Sequence, residues 1–338
     1  MKLLICTQTV DKNDPILGFF HGWLLEFAKH FSEIHVICLK QGQYELPENV
    51  YVYSLGKELG VSRIRYGWRF YKYFIHIFFK VRVDIVFYHM GAIYNVLAVP
   101  FFMLRSWYQT RFLWWKAHGH INRFGRFALW FCDEVVTSTA SGFPIKSKKR
   151  HIVGQAIDTT LFHIDEKIER KAKHVIYVGR IAPIKQLETF IDIARVLEPV
   201  GYTFSVAGPA YDEGYFEGLR QQAADTSIDW LGPKTQSELV GLYQQTDIFL
   251  NTSLTHSMDK TVLEAILCGC IPVTANQAFR ELLEPHGLFL SSPSVHTYTT
   301  VLTGLSSSNR PEVRRALAEE VAQLHSLDTF TERVFDVG

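Results

Sequence analysis

Cysteine is scarce: five in 338 residues, of which only Cys268 and Cys270 are close in sequence. That excludes a disulfide scaffold, and no second pair exists to complete a four-ligand zinc site. Low-complexity segments and short repeats are absent. With 47% hydrophobic and 20% charged residues, the chain reads as globular rather than disordered. No G-x-G-x-x-G follows the first strand-like run, which argues against a dehydrogenase, and no recognised nucleic-acid motif is present. The opening run to Cys6 meets Asp11, Lys12 and Asp14 too early for a signal peptide. With cysteine so little used, a reducing cytoplasmic setting is the expectation. Residues 85–104 carry no Asp, Glu, Lys or Arg, enough length to span a bilayer. They are broken by His89, Gly91, Asn95 and Pro100, so a buried strand, a turn and a buried helix are expected instead of a span.

The length suggests two domains at roughly 150 residues each. The net charge of +1 hides an asymmetry: residues 1–150 hold 20 Lys+Arg against 10 Asp+Glu, and the remainder holds 15 against 24. A basic first half suggests an anionic partner. Short β-branched runs at 3–6, 34–39, 85–88, 112–115 and 134–138 alternate with helical periodicity at 19–31 and 65–81. The second half repeats the scheme, with strands at 174–178, 203–207, 228–231, 248–251 and 271–274. Helices are expected there near 187–197, 215–223, 237–245 and 261–267. Such alternation predicts an α/β protein with parallel sheets covered on both faces, hence two Rossmann-like domains. The boundary is placed between Asp158 and Lys173, where the charged stretch 165–171 reads as a linker or exposed helix. This gives domains at 1–160 and 170–325 and a C-terminal segment at 326–338.

In such sheets ligands sit beyond the carboxyl ends of the strands, and three strand ends in the second half are unusual. The first runs Gly179-Arg180-Ile181-Ala182-Pro183-Ile184-Lys185. A glycine there lets the backbone approach a ligand, and Arg with Lys can clamp a diphosphate; two solvated surface cations are the alternative. The second is Gly208-Pro209, by itself only a turn signal. The third is a polar loop from Ser253 through His256, Ser257, Met258, Asp259, Lys260 and Thr261 into a helix whose first amides would face an anion. Glu264, one turn inside that helix, either accepts hydrogen bonds from vicinal sugar hydroxyls or is a solvent-facing carboxylate.

Five motifs occur in order: G-R-x₄-K, G-P, W-L-G (230–232), L-x₃-Y-x₃-D-I-F-L-N-T-S (239–253) and L-E-A-x₂-C-G-x-I-P-V (263–273). Together they resemble the family 4 retaining glycosyltransferases of the GT-B fold, across nearly all of 174–290. Gln155-Ala156-Ile157-Asp158 with Phe162 resembles that family's interdomain segment. The resemblance implies two Rossmann-like domains facing across a cleft and a nucleotide-diphosphate-sugar donor, UDP- or GDP-linked. It implies that Arg180 and Lys185 neutralise the diphosphate and stabilise the leaving group, and that Glu264 holds the ribose as the second acid of E-x₇-E. Gly179 and the loop at Asp259, Lys260 and Thr261 would touch the phosphates and sugar, while Gly208-Pro209 and Pro233-Lys234 would line the base. The first acid of E-x₇-E is replaced by His256, and Ser257-Met258-Asp259-Lys260 replaces a Gly-rich loop. Asp259 is therefore expected to supply the missing carboxylate and Lys260 a further phosphate contact.

In the first half, Trp114-Trp115-Lys116-Ala117-His118-Gly119-His120 follows a strand. H-x-H has no evident third ligand, so no metal is expected. The family resemblance makes His118 the residue facing the transferred sugar. It also sets Gly18, in the loop 14–19, near acceptor and phosphate, and His120 is grouped with it. The absence of a D-x-D triplet disfavours the metal-dependent GT-A class, so no cofactor is expected beyond the donor itself. Residues 59–83 lack acids, and Arg65, Arg69, Lys72, His76 and Lys80 are spaced to share one helical face beside many aromatics. That face is either a solvated basic stripe or a contact for an anionic membrane surface. The latter, with a glycan or lipid-linked acceptor and a peripheral position on the inner membrane face, is the expectation. A sugar-nucleotide 2-epimerase and a non-catalytic nucleotide-binding protein are the alternatives.

Overall fold

The computed structural model describes residues 1–14, 16–305 and 310–336. Pro15 of the loop 14–19 and the last two residues of the C-terminal segment lie outside them. The chain divides into two compact units, 1–156 with 327–338, and 157–326.

Unit 1 is built on a seven-stranded parallel sheet of order β3-β2-β1-β4-β5-β6-β7. Its strands are β1 (Lys2–Val10), β2 (Glu33–Gln41), β3 (Val50–Ser54), β4 (Ile85–His89), β5 (Arg111–Trp115), β6 (Glu134–Thr137) and β7 (Arg150–Ile152). The apolar run of β1 is buried on both faces, as a central parallel strand requires. Alternate residues feed two apolar layers: Leu3 and Ile5 join one, Leu4 and Cys6 the other. The first layer is covered by α1 (Phe19–His30), through Trp23 and Phe27. Over the second lies α2 (Arg63–His76), followed by a π turn at Ile77–Val81. Further along are α3 (Ala92–Leu97), α4 (Val99–Met103), α5 (Arg105–Tyr108) and α6 (Arg123–Ala128). Residues 85–104 are thus one strand and two short helices, and no helix among the described residues is long and apolar enough to cross a membrane.

The basic stripe of 65–80 is only partly as expected. Arg65, Lys72 and Lys80 are exposed, but Arg69 turns inward and donates to the Leu55 carbonyl at 3.2 Å. Its guanidinium lies against Gly56, where a Cβ would be only 2.2 Å away. The wider π turn also takes Lys80 out of the α-helical register that the spacing assumed.

Unit 2 carries a five-stranded parallel sheet of order β10-β9-β8-β11-β12. In chain order come β8 (Lys171–Val178), α7 (Leu187–Leu197), β9 (Thr203–Ala207), α8 (Glu213–Gln222), β10 (Asp229–Gly232) and α9 (Gln236–Gln245). Next are β11 (Thr246–Asn251), α10 (Lys260–Leu267), β12 (Ile271–Thr274), α11 (Arg280–Leu283), α12 (Val295–Gly304) and α13 (Arg310–His325). The stretch 165–171 is neither linker nor helix. It belongs to this unit and feeds β8. Arg170 is drawn in by backbone carbonyls, donating to Tyr243 at 3.1 Å, to Thr246 at 2.9 Å and to Cys268. Asp247, in the motif before Ser253, pairs with the buried Arg314 and so serves the core.

The chain enters and leaves unit 2 side by side: Ile157 bridges Ser326, its amide donating to the His325 carbonyl at 2.8 Å. It then forms α14 (Phe330–Phe335), whose Phe330 packs on Trp23 with ring centres 4.4 Å apart and whose Phe335 packs on Phe27 at 5.2 Å. Arg111 donates to the Phe335 carbonyl at 2.8 Å. Strand order reverses between β1 and β4 in unit 1 and between β8 and β11 in unit 2; these are the topological switch points where α/β sheets bind ligands.

Candidate functional site

At the unit 2 switch point the loops after β8 and β11 face each other. The loops after β8 and β9 touch first. A Cβ on Gly208, at φ +145°, would sit 1.9 Å from the Gly179 carbonyl oxygen, so only glycine permits the approach. Ile181 then donates its amide to the Pro209 carbonyl at 2.9 Å, and Gly208 donates to Gly232 at 2.9 Å, tying β9 to the end of β10. Arg180 projects from this turn, exposed, its guanidinium carbon 5.2 Å from the Tyr211 ring centre. Lys185 closes the short turn Pro183–Lys185, and its carbonyl accepts from the Thr252 hydroxyl at 2.8 Å. Lys234, beyond β10, lies 3.9 Å from Glu238.

Asp259 holds the N-cap position of α10 but caps no amide. Its carboxylate instead accepts from the Lys185 ammonium at 2.7 Å and from the Asn251 side-chain amide at 3.0 Å. Asn251 is itself fixed, its side-chain oxygen accepting from the Ser253 amide at 3.1 Å and the Thr274 hydroxyl at 3.3 Å. Asn276 donates to the Ser257 carbonyl at 2.9 Å, pinning the far side of the loop. Asp259 was expected to reach toward a donor sugar; its carboxylate is committed to Lys185, because the sheet order sets β8 beside β11. Met258 also departs from its expected place, packing in the unit 2 core. His256 is exposed and Thr261 half-buried.

One turn into α10, Glu264 is buried, which excludes its reading as a solvent-facing carboxylate. The Tyr243 hydroxyl lies 3.5 Å from its Oε2. Burial raises the Glu264 carboxyl to about 7 and lowers the Lys260 ammonium to about 7; in each case the partner's charge opposes the shift. Lys260, expected at the phosphates, is therefore coupled electrostatically to Glu264, four residues on along the same face of α10.

Unit 1 has its own concave site, a cavity of about 380 Å³ lined in part by Met90, Ile93, Lys116, His118, His120 and Phe124. The His120 amide donates to Nδ1 of His118 at 3.2 Å, which leaves the hydrogen of a neutral His118 on Nε2. Burial lowers the pKa of Lys116. Gly18 does not line this cavity. It completes a tight turn before α1, where a Cβ would be 2.6 Å from the Asp14 carbonyl oxygen, and the Asp14 side chain accepts the amides of Ile16 and Leu17 at 2.9 Å. No cluster of three metal-ligating side chains occurs among the described residues.

The structure places Gly179, Arg180, Lys185, Gly208 and Asp259 on the segments that follow β8, β9 and β11, Glu264 one turn into α10, and His118 with His120 in one cavity. Sequence reasoning missed Asn251, Thr252 and Tyr243, although all three stand inside the quoted motif, and it passed over Lys116 between two tryptophans and two histidines.

Residues 172–307 match the family model described as "Glycosyl transferases group 1". No curated protein matches the chain. Among solved structures, HepE of Anabaena in complex with UDP is 16% identical with a TM-score of 0.75, covering 99% of each chain. Sucrose-phosphate synthase from Thermosynechococcus elongatus is 13% identical with a TM-score of 0.76, covering 100% of this chain and 98% of its own. An α-glucosyltransferase in complex with UDP is 12% identical with a TM-score of 0.70, covering 100% and 99%. At these identities the likeness is one of fold. Residues 172–307 thus match a glycosyl transferases group 1 domain, and the two parallel-sheet units match GT-B glycosyltransferase structures in fold.

Proposed function

We propose that the chain is a retaining glycosyltransferase that moves a sugar from a UDP- or GDP-linked donor to a glycan or lipid-linked acceptor. The observation that carries this is that Arg180 and Lys185 follow β8 and Glu264 lies in the helix that follows β11, the two strands that flank the unit 2 switch point, within residues that match a glycosyl transferases group 1 domain. Glycosyl transfer develops negative charge on the departing phosphate, and two fixed cations stabilise that charge most where it grows. They supply it without a metal ion. Glu264 accepts the ribose hydroxyls, and the turns at Gly208-Pro209 and Lys234 flank the base. Two of the structural relatives were solved with UDP, which favours a uridine donor. Unit 1 takes the acceptor, with His118 presenting Nε2–H to the transferred sugar. With His256 in place of a carboxylate, the residues offer no obvious nucleophile. Retention then follows same-face attack, the departing phosphate taking the acceptor proton.

Arg65 and Lys72 stand exposed on the same helix as Trp68, itself 64% exposed, and Lys80 is exposed in the π turn beyond it, a composition suited to peripheral contact with an anionic membrane at its cytoplasmic face. A second reading, nucleotide binding without turnover, is favoured by one observation: Asp259 already occupies Lys185.

Thermal shifts with UDP, GDP and ADP, followed by hydrolysis and transfer assays, separate the readings, since a ligand of the folded state raises its melting temperature. The enzyme reading expects a selective shift, lost in Arg180→Ala and Glu264→Ala, and product with a suitable acceptor. A shift without turnover under any acceptor moves the protein to the second reading. No shift for any nucleotide ends both.

A further inference from the structure

Lys116 follows β5 and lines the unit 1 cavity with His118 and His120. No carboxylate lines that cavity, and none pairs with Lys116 among the described residues. The neighbouring strand ends explain why. β4 runs out into Met90 and Gly91 and β6 into Ser138 and Thr139, so neither side delivers an acid. A cation half removed from water, with two imidazoles and no counter-charge, is a site completed by an anion.

Part of the rim is apolar, beside the exposed His118, His120 and Asn122. Ile93 and Phe124 line it while remaining 48% and 41% exposed. Phe124 and Phe127 are three residues apart on α6 and so share a face, and Phe127 contacts Trp130, which is 71% exposed. Arg123 and Arg126 stand exposed on the same helix. A soluble protein leaves such a surface bare when something apolar covers it.

We infer that the unit 1 cavity binds a phosphoryl group carried on an apolar chain, Lys116 taking the phosphoryl oxygens and the Phe124–Phe127–Trp130 surface taking the chain. This rests on the proposal that unit 1 receives the acceptor, and it narrows that acceptor to a lipid phosphate or diphosphate. Lys116 supplies the charge, and His118 and His120 donate further hydrogen bonds. A neutral soluble glycan satisfies neither the cation nor the apolar rim.

The test is calorimetric titration of the full chain with farnesyl phosphate below its micellar concentration, with farnesol and inorganic phosphate as the two halves of the ligand. Farnesyl phosphate is expected to bind at least tenfold tighter than either half. Lys116→Ala is expected to lose at least tenfold for farnesyl phosphate only, and Lys116→Arg to keep most of the affinity. Farnesol binding as tightly as its phosphate, inorganic phosphate binding as tightly as the lipid, or Lys116→Ala binding like wild type would each overturn the inference. UDP titration in parallel keeps the two proposals apart. Unchanged UDP affinity in Lys116→Ala shows that the variant is folded. A wild-type chain that binds farnesyl phosphate through Lys116 but no nucleotide would end the donor reading and leave this site standing.

Discussion

Two lysines at strand ends, one in each unit, face anionic chemistry in opposite states. Lys185 of unit 2 is met by Asp259 at 2.7 Å, both side chains largely covered (13% and 16% exposed). Lys116 of unit 1 meets no carboxylate among the described residues. The difference comes from sheet order. Lys185 follows β8, and across the switch point β11 leads into a loop that ends in an acid; Lys116 follows β5, whose neighbours lead into Met90 and Ser138. The proposed donor site of unit 2 therefore carries its own anion, with which a diphosphate would have to exchange. In unit 1 the anion has to come from outside. A partly buried pair gives up little when one anion replaces another, whereas an unanswered cation gains the whole interaction.

The sharpest test of the contrast is catalytic. Lys185→Ala should lower turnover about 100- to 1,000-fold, the usual cost of losing one group that stabilises developing charge, read as nucleotide release at saturating donor. Lys116→Ala should act chiefly on the acceptor KM. Equal losses of turnover in the two variants would erase the distinction. Next in size is a stability comparison. Gly208→Ala forces a Cβ onto the Gly179 backbone and should cost about 2–3 kcal/mol. Gly125→Ala in the unit 1 cavity meets the Ile121 Cγ2 methyl at 2.9 Å, a side chain and not backbone, and should cost less, about 1–2 kcal/mol. Urea unfolding of both variants measures this, and similar losses would show that the unit 2 loops can part.

Asp259→Asn turns Lys185 into a lysine like Lys116. UDP should then bind about tenfold tighter, in the range of one charge-assisted hydrogen bond no longer lost on binding; weaker binding would mean that Asp259 serves the donor instead. The smallest effect should be common to both units. Burial lowers the pKa of His35 in unit 1 and of His174 in unit 2. A lowered folded-state pKa contributes stability above the unfolded value near 6.5 and loses it as pH falls through the folded value. Glu264, raised by burial, acts in the opposite sense over the same range, so the histidines are read by difference: from pH 7.5 to 5 the urea midpoint should fall further, or rise less, in the wild-type chain than in His35→Gln and His174→Gln. Variant profiles that superpose on the wild-type profile would contradict both shifts.

Much of this architecture was legible because central parallel strands are buried on both faces and leave unbroken apolar runs. β9, β12 and α7 begin and end where the pattern predicts. The misses are physical as well. β3 and β7 are edge strands with largely half-exposed side chains, too weakly patterned to stand out. Arg69 reads as a surface cation because nothing local announces the Leu55 carbonyl that takes it. Charge alone could not show that Arg170 is an anchor and not part of a linker, since its partners lie from 73 to 98 residues away. In the site, residue types at strand ends were readable and their pairing was not: Lys185 and Asp259 are 74 residues apart, brought together only by the order of the sheet. Lys116 gave no signal, because the absence of a partner is a property of neighbouring strands rather than of its own sequence.

The bridge between Ile157 and Ser326 makes unit 2 an insertion with adjoining ends. During synthesis the ribosome delivers all of it before α14, whose Phe330 and Phe335 complete the core around Trp23 and Phe27. Unit 1 begins first and finishes last. The inserted module reaches its final sequence while its host still lacks a wall, so the order of maturation runs from the inside of the gene outward.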